Sequence, residues 1–118
     1  MASVAELVKQ IENNTIKNED LIFCMEDHNF GVVTMSMFKA IERKYCNQRI
    51  VDRLAELSRL LKDNKFIGPW QMGHVALAAL SLLESESSKK KFIELFENLN
   101  ENDKFLVDNF IKSEAYKE

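Results

Sequence analysis

A chain of 118 residues, of which 46% are hydrophobic and 30% charged, is long enough for one domain with an apolar core and is not typical of a disordered chain. The net charge of −3 disfavours direct binding to nucleic acid, which needs a basic surface, but permits a basic protein partner. Two cysteines are too few for a secreted disulfide framework, and the sequence shows neither a signal segment nor a membrane-spanning run, so we expect one cytoplasmic domain over residues 1–118.

The first four predicted helices each follow a side chain that can cap them, and the low counts of glycine and proline favour helices throughout. Ser3 and Glu6 form the S-x-x-E pattern of a capping box at the first helix. Asn18, Thr34 and Asn47 precede the second, third and fourth helices. The N-terminal half is therefore predicted to consist of amphipathic helices that share a core.

The C-terminal half is predicted to add three helices. Pro69, after Gly68, suits the first position of a fifth helix that runs to about Glu84. Ser87 and Asn102 are the predicted caps of the sixth and seventh helices. No segment has the length and alternation expected of a strand, so the predicted fold class is all-α with about seven helices.

These helices fall into pairs that repeat loosely, with 31–35 residues between successive first members. The first members begin near residues 3, 34 and 69, and the second members near 18, 47 and 87. Such a period predicts a HEAT-like α-solenoid of stacked antiparallel hairpins. A closed bundle of the same helices is the alternative, because turn lengths do not distinguish the two arrangements.

The fifth helix is the most apolar part of the chain. Its narrow polar or small-residue stripe is surrounded by apolar side chains, which is typical of a central helix that is buried on most sides. The stripe consists of Gln71, His74, Ala78, Ser81 and Ser85. Trp70 lies at the margin of the apolar face, a position that suits either core packing or a partner-binding anchor.

Two stretches carry a family resemblance. "GHVALAALSLL" at residues 73–83 is similar to the second-half pattern of HEAT-like repeats, in which small Ala residues alternate with Leu, and "IVDRLAELSRLL" at residues 50–61 resembles a weaker copy. As a small acidic chain with such pairs, the protein resembles immunity proteins of bacterial contact-dependent growth inhibition systems. The resemblance implies a stoichiometric 1:1 inhibitor without enzymatic activity, which neutralises a cognate basic toxin domain, such as a nuclease, by covering its active site.

Acidic clusters provide candidate contacts with such a partner. Carboxylates that face the cationic cleft of a nuclease would mimic phosphates and accelerate encounter, whereas the alternative interpretation is that they are solvated helix ends. The candidate partner-binding residues are Glu26, Asp27, Trp70, Gln71, His74, Glu84 and Glu86.

A metal site is the main chemical alternative. Cys24 and His28 are one helical turn apart, and Cys46 with His74 would complete a tetrahedral zinc site. Free cysteines are more often buried as small apolar side chains, so we expect no metal, no cofactor and no catalytic residue. The competing hypotheses are a helical adaptor that assembles a protein complex and, last, a small metal-dependent enzyme.

Overall fold

The computed structural model describes residues 2–117, apart from the side chain of Phe66, and confirms an all-α fold. Its seven α-helices are α1 Val4–Glu12, α2 Leu21–Met25, α3 Phe30–Arg43, α4 Gln48–Leu57, α5 Met72–Leu82, α6 Glu86–Phe96 and α7 Glu101–Ser113. Short 3₁₀ turns cover Asn18–Asp20 and Ala115–Lys117, and a hairpin joins β1 Lys65–Ile67 to β2 Trp70–Gln71. Within these residues, no helix combines the length and apolar character needed to cross a membrane.

Two predicted helix caps are confirmed. The Ser3 hydroxyl accepts a hydrogen bond from the backbone N–H of Glu6 at 3.2 Å. The Asn47 side chain accepts one from the N–H of Ile50 at 2.9 Å, at the start of α4. Local side-chain chemistry therefore sets the beginning of these two helices.

Two other predicted caps are wrong. α3 begins at Phe30 because the Asn29 side chain accepts the N–H of Val32 at 3.2 Å, and Thr34 is buried inside the helix. Asn18 opens a 3₁₀ turn, and its side-chain oxygen accepts a hydrogen bond from Arg43 instead of capping. In both places a tertiary or neighbouring contact overrides the cap expected from the sequence.

The caps of the last two helices lie two residues before the predicted ones. Ser85 caps α6 in place of Ser87, and Asn100 caps α7 in place of Asn102. Each accepts a hydrogen bond from the backbone N–H three residues further on, at 3.0 and 2.8 Å. The two helices were predicted correctly, and only their starting residues were wrong.

The Gly68–Pro69 pair forms a turn, which corrects its predicted place at the start of a helix. Ile67 pairs with Trp70, so that Gly68 and Pro69 form a two-residue hairpin loop. Gly68 has a φ of +50°, which a type II′ turn requires at its first central position. The prediction that no segment forms a strand was also wrong, because this short hairpin precedes α5.

α5 is the central helix, as predicted. Every residue from Met72 to Leu80 is buried, and the helix packs against α3, α4, α6 and α7. The C-terminal 3₁₀ turn packs against α3, which brings distant parts of the chain together. In a solenoid each repeat contacts only its neighbours, so these contacts match the bundle alternative, and the HEAT-like stacking is not confirmed.

Candidate functional site

His74 joins the N-terminal ends of two helices. Its Nδ1 accepts a hydrogen bond from the backbone N–H of Gln71 at 2.9 Å, and its Nε2 lies 2.8 Å from Oδ1 of Asp103. An acceptor at Nδ1 places the proton of the neutral ring on Nε2, which then donates to the Asp103 carboxylate. The imidazole is only 2% exposed, so the structure places this candidate partner-binding residue inside the domain.

Gln71 also provides hydrogen bonds at the start of α5. Its side-chain oxygen accepts the N–H of Asn64 at 2.6 Å, and together Gln71 and His74 form a capping box. The carbonyl of Asn64 accepts the N–H of Met72 at 2.9 Å. These bonds satisfy backbone groups that a helix end would otherwise leave without partners.

We expect His74→Ala to lower the free energy of unfolding by about 3 kcal/mol, because it leaves the Gln71 N–H and the Asp103 carboxylate without partners. Asp103→Ala should cost about 2 kcal/mol, and the double variant at least 1 kcal/mol less than the sum. Urea unfolding followed by tryptophan fluorescence measures all three. His28 is exposed, so His28→Ala is the control, with a change below about 0.5 kcal/mol. Additive effects at His74 and Asp103 would contradict the coupling.

Trp70 is packed in the core. It is 9% exposed, and its ring makes an edge-to-face contact with Phe110 at a centroid distance of 5.1 Å. The indole N–H is buried and has no hydrogen-bond partner within residues 2–117. Phe110 also contacts the rings of Phe38 and Tyr116, each at 6.3 Å. Trp70 therefore belongs to an aromatic cluster that includes Phe110, Phe38 and Tyr116.

The acidic residues at the end of α2 have local partners. Glu26 binds Arg49 through two hydrogen bonds of 2.6 and 3.0 Å, which raise the pKa of the Arg49 guanidinium. Asp27 accepts the backbone N–H of Asn29 at 2.9 Å. Glu26 is exposed and Asp27 half-buried, so both remain accessible.

Glu84 and Glu86 lie on either side of the turn between α5 and α6. The Lys44 ammonium, 2.9 Å from Glu84, lowers the pKa of that carboxyl group through a hydrogen bond and charge attraction. Glu86 is exposed in the first turn of α6, where the helix dipole favours a carboxylate. Within residues 2–117, no hydrogen bond or ion pair joins these residues to Glu26 and Asp27.

Cys24 and His74, two of the four residues considered as zinc ligands, lie in the interior of the domain. Cys24 is buried, and burial, followed by the charges of Asp27 and Asp20, raises the pKa of its thiol. Among residues 2–117, no three His, Cys, Asp or Glu side chains are placed to hold a metal ion. Both nitrogens of His74 already have partners, as described above.

The outer face of α7 carries the most exposed large apolar side chain of the described chain. Phe105 is 65% exposed, whereas Val107 and Phe110 on the opposite face are fully buried. Glu101 and Asp108 are exposed and lie one helical turn to either side of Phe105. Sequence reasoning overlooked Phe105, although its position opposite the buried stripe was visible in the helical period.

Ile93 provides a second exposed apolar side chain. It lies on α6 and is 55% exposed. Ser88 is the residue that α6 buries completely. The other apolar side chains of α6 are only partly buried, namely Phe92, Leu95 and Phe96. α6 and α7 both pack on α5, and each leaves one large apolar side chain, Ile93 or Phe105, exposed to solvent.

A groove of about 750 Å³ lies between α3, the end of α5 and the C-terminal 3₁₀ turn. Its apolar lining includes Met35, Phe38, Leu82 and Tyr116. Its charged lining consists of Lys39, Glu42, Lys44, Glu84 and Lys117. Glu84 is the predicted partner-binding residue that lies at this groove.

Comparison of the chain with protein-family models, with curated proteins and with solved structures finds no match. The resemblance to HEAT-like immunity proteins therefore stays a prediction.

Proposed function

We propose that the protein is a stoichiometric binding protein that neutralises a basic protein partner by covering its functional surface, as an immunity protein covers a toxin. The partner would be a cationic toxin domain, such as a nuclease, bound 1:1. The residues that contact it would include Phe105 and the exposed carboxylates of the C-terminal helices. The buried side chains of Trp70 and His74 would support this surface from inside.

The observation that carries the proposal is the exposure of Phe105 between two acidic residues. An aromatic ring that is mostly in water gains most when it enters an apolar pocket of a partner, and aromatic side chains dominate the energetic centres of interfaces. Glu101 and Asp108, exposed one turn away, would meet basic side chains around that pocket. Asp108 has no ionic partner within the described chain, whereas Glu101 lies 3.8 Å from the Lys104 ammonium. Asp108 can therefore bind a partner's cation without breaking an ion pair.

The distribution of charge also favours a cationic partner. Residues 84–118 contain nine Asp and Glu against six Lys, whereas residues 1–83 contain ten acidic and ten basic residues. The whole net charge of −3 therefore belongs to the segment that includes α6 and α7. Such a charge on one part of the surface accelerates encounter with a basic cleft. Glu84 and Glu86 belong to the same segment.

The test begins with the tagged protein, recovered from the cells that naturally produce it, and with the mass and amount of what accompanies it. We expect one basic protein in equal amount. With that partner purified, calorimetry should show about 30-fold weaker binding for Phe105→Glu. Ala5 is exposed on α1, so Ala5→Glu is the control that adds the same charge elsewhere and should bind like the wild type.

Other outcomes would count against the proposal. Recovery of several partners in unequal amounts would support the helical adaptor hypothesis instead. A partner that retains its toxic activity when saturated with the protein would exclude neutralisation. Equal affinity of wild type and Phe105→Glu would exclude the outer face of α7 as the contact surface.

A further inference from the structure

The groove beside α3 contains no residue of α7, whose outer face the proposed function uses, although the predicted partner-binding residue Glu84 lies at its edge. Its apolar lining includes two aromatic rings, Phe38 and Tyr116, and the side chains of Met35 and Leu82. All four are only partly buried by the protein itself. A volume of about 750 Å³ lies in the range typical of small-molecule sites, which combine an apolar lining with few polar groups.

Lys39 is the least exposed of the three lysines that line this groove. Its side chain is 13% exposed, and its ammonium donates to Asn14 Oδ1 at 3.1 Å and to Glu42 Oε2 at 3.0 Å. An ammonium has three N–H donors, so one donor remains for an acceptor that enters the groove. The mostly buried position makes an additional acceptor there more valuable than at a lysine in open water.

The surroundings of Lys39 carry more positive than negative charge. Arg43 donates to the same oxygen, Asn14 Oδ1, at 3.0 Å, so two cations share one neutral acceptor. The other acceptors of Arg43 are the carbonyl of Ile16 and the side-chain oxygen of Asn18, both neutral. Glu42 is the carboxylate that pairs with Lys39, whereas Arg43 has no ionic partner in the described chain.

The other lysines at the groove, like Lys39, each have a carboxylate partner, but their side chains are far more exposed. Lys44 pairs with Glu84 at 2.9 Å, and Lys117 pairs with Glu114 at 3.0 Å. Arg43, which lies next to Lys39 but is not part of the groove lining, is therefore a positive charge without a matching carboxylate among the described residues. An anionic group would be stabilised at Lys39, and an aliphatic chain along the apolar lining.

We propose that the groove binds a single-chain aliphatic carboxylate, with its carboxylate on the free donor of Lys39 and its chain against Met35, Phe38, Leu82 and Tyr116. The ligand is an amphiphile because the site combines one charged end with an apolar length. This site would add a small-molecule ligand to a protein whose proposed partner contacts Phe105, which does not line the groove.

The test is a titration of the full chain, ¹³C-labelled at its methionine methyl groups, with dodecanoate below its micelle concentration. We expect the Met35 methyl signal to shift and saturate, while those of the buried Met25 and Met72 stay in place. Dodecyltrimethylammonium has the same chain and the opposite charge, and should bind at least about tenfold more weakly.

Variants then test the role of Lys39. Lys39→Met keeps the aliphatic stem and should weaken dodecanoate binding about tenfold, whereas Lys39→Arg should retain it. Lys90 is exposed outside the groove lining, and Lys90→Met is the control with unchanged affinity. Equal binding of both amphiphiles, or no loss in Lys39→Met, would overturn the carboxylate site. No shift at Met35 would overturn the proposal and favour a protein segment as the occupant.

Discussion

Phe110→Ala should lower the free energy of unfolding by about 3–5 kcal/mol, as expected when a large aromatic side chain is removed from a core. Phe110 is fully buried and contacts the rings of Trp70, Phe38 and Tyr116. Its loss would leave a cavity between α7, α3 and the start of α5. Urea or thermal unfolding followed by circular dichroism measures the effect without depending on the nearby tryptophan.

The matched control for this variant lies on the same helix. Phe105 is 65% exposed, so Phe105→Ala removes the same atoms from water and not from the core. We expect a change below about 0.5 kcal/mol. Similar losses for the two variants would contradict the orientation of α7 and, with it, the exposed face on which the proposed function depends.

Gly73→Ala should lower the free energy of unfolding by about 3 kcal/mol, because the new methyl group has no room. A Cβ atom at this position would lie 2.8 Å from the carbonyl oxygens of Ser58 and Leu60. The Gly73 N–H donates to the Leu60 carbonyl at 2.9 Å, so the two backbones are held in contact. Relief of the overlap requires α5 to move away from the end of α4.

Gly31→Ala is the comparison for this second variant. A Cβ at Gly31 would approach only the Asn29 side-chain oxygen, at 3.0 Å, and alanine favours the helix. We expect a change of less than about 1 kcal/mol in either direction. Tolerance of alanine at both glycines in unfolding experiments would show that α4 and α5 are not in backbone contact.

Local rules predicted much of the fold but not where several helices begin. Ser3 and Asn47 cap helices as expected, because a cap depends on the side chain and a backbone N–H three residues away. Asn18 failed as a cap because Arg43, 25 residues distant, takes its side-chain oxygen. Gly68–Pro69 became a hairpin turn because pairing of Ile67 with Trp70 competes with the helix that Pro69 would begin.

The candidate sites were only partly visible in the sequence. The phase of the helical period already placed Phe105 opposite Val107 and Phe110, so its exposure was open to prediction. The partnership of His74 with Asp103 was not, because it joins helix ends 29 residues apart. The groove was hidden for the same reason, since it is formed where α3 meets the end of α5 and the C-terminal turn.

From its residues alone the chain is recognisable as helical, as acidic in its C-terminal third and as built around the apolar stretch that forms α5. Those properties follow from composition and from periods within one helix, which depend on neighbouring residues. Tertiary packing alone places Trp70 and His74 in the interior and brings Lys39 and Arg43 together at Asn14. Such relations depend on which helices pack against each other, and here α5 packs against four others.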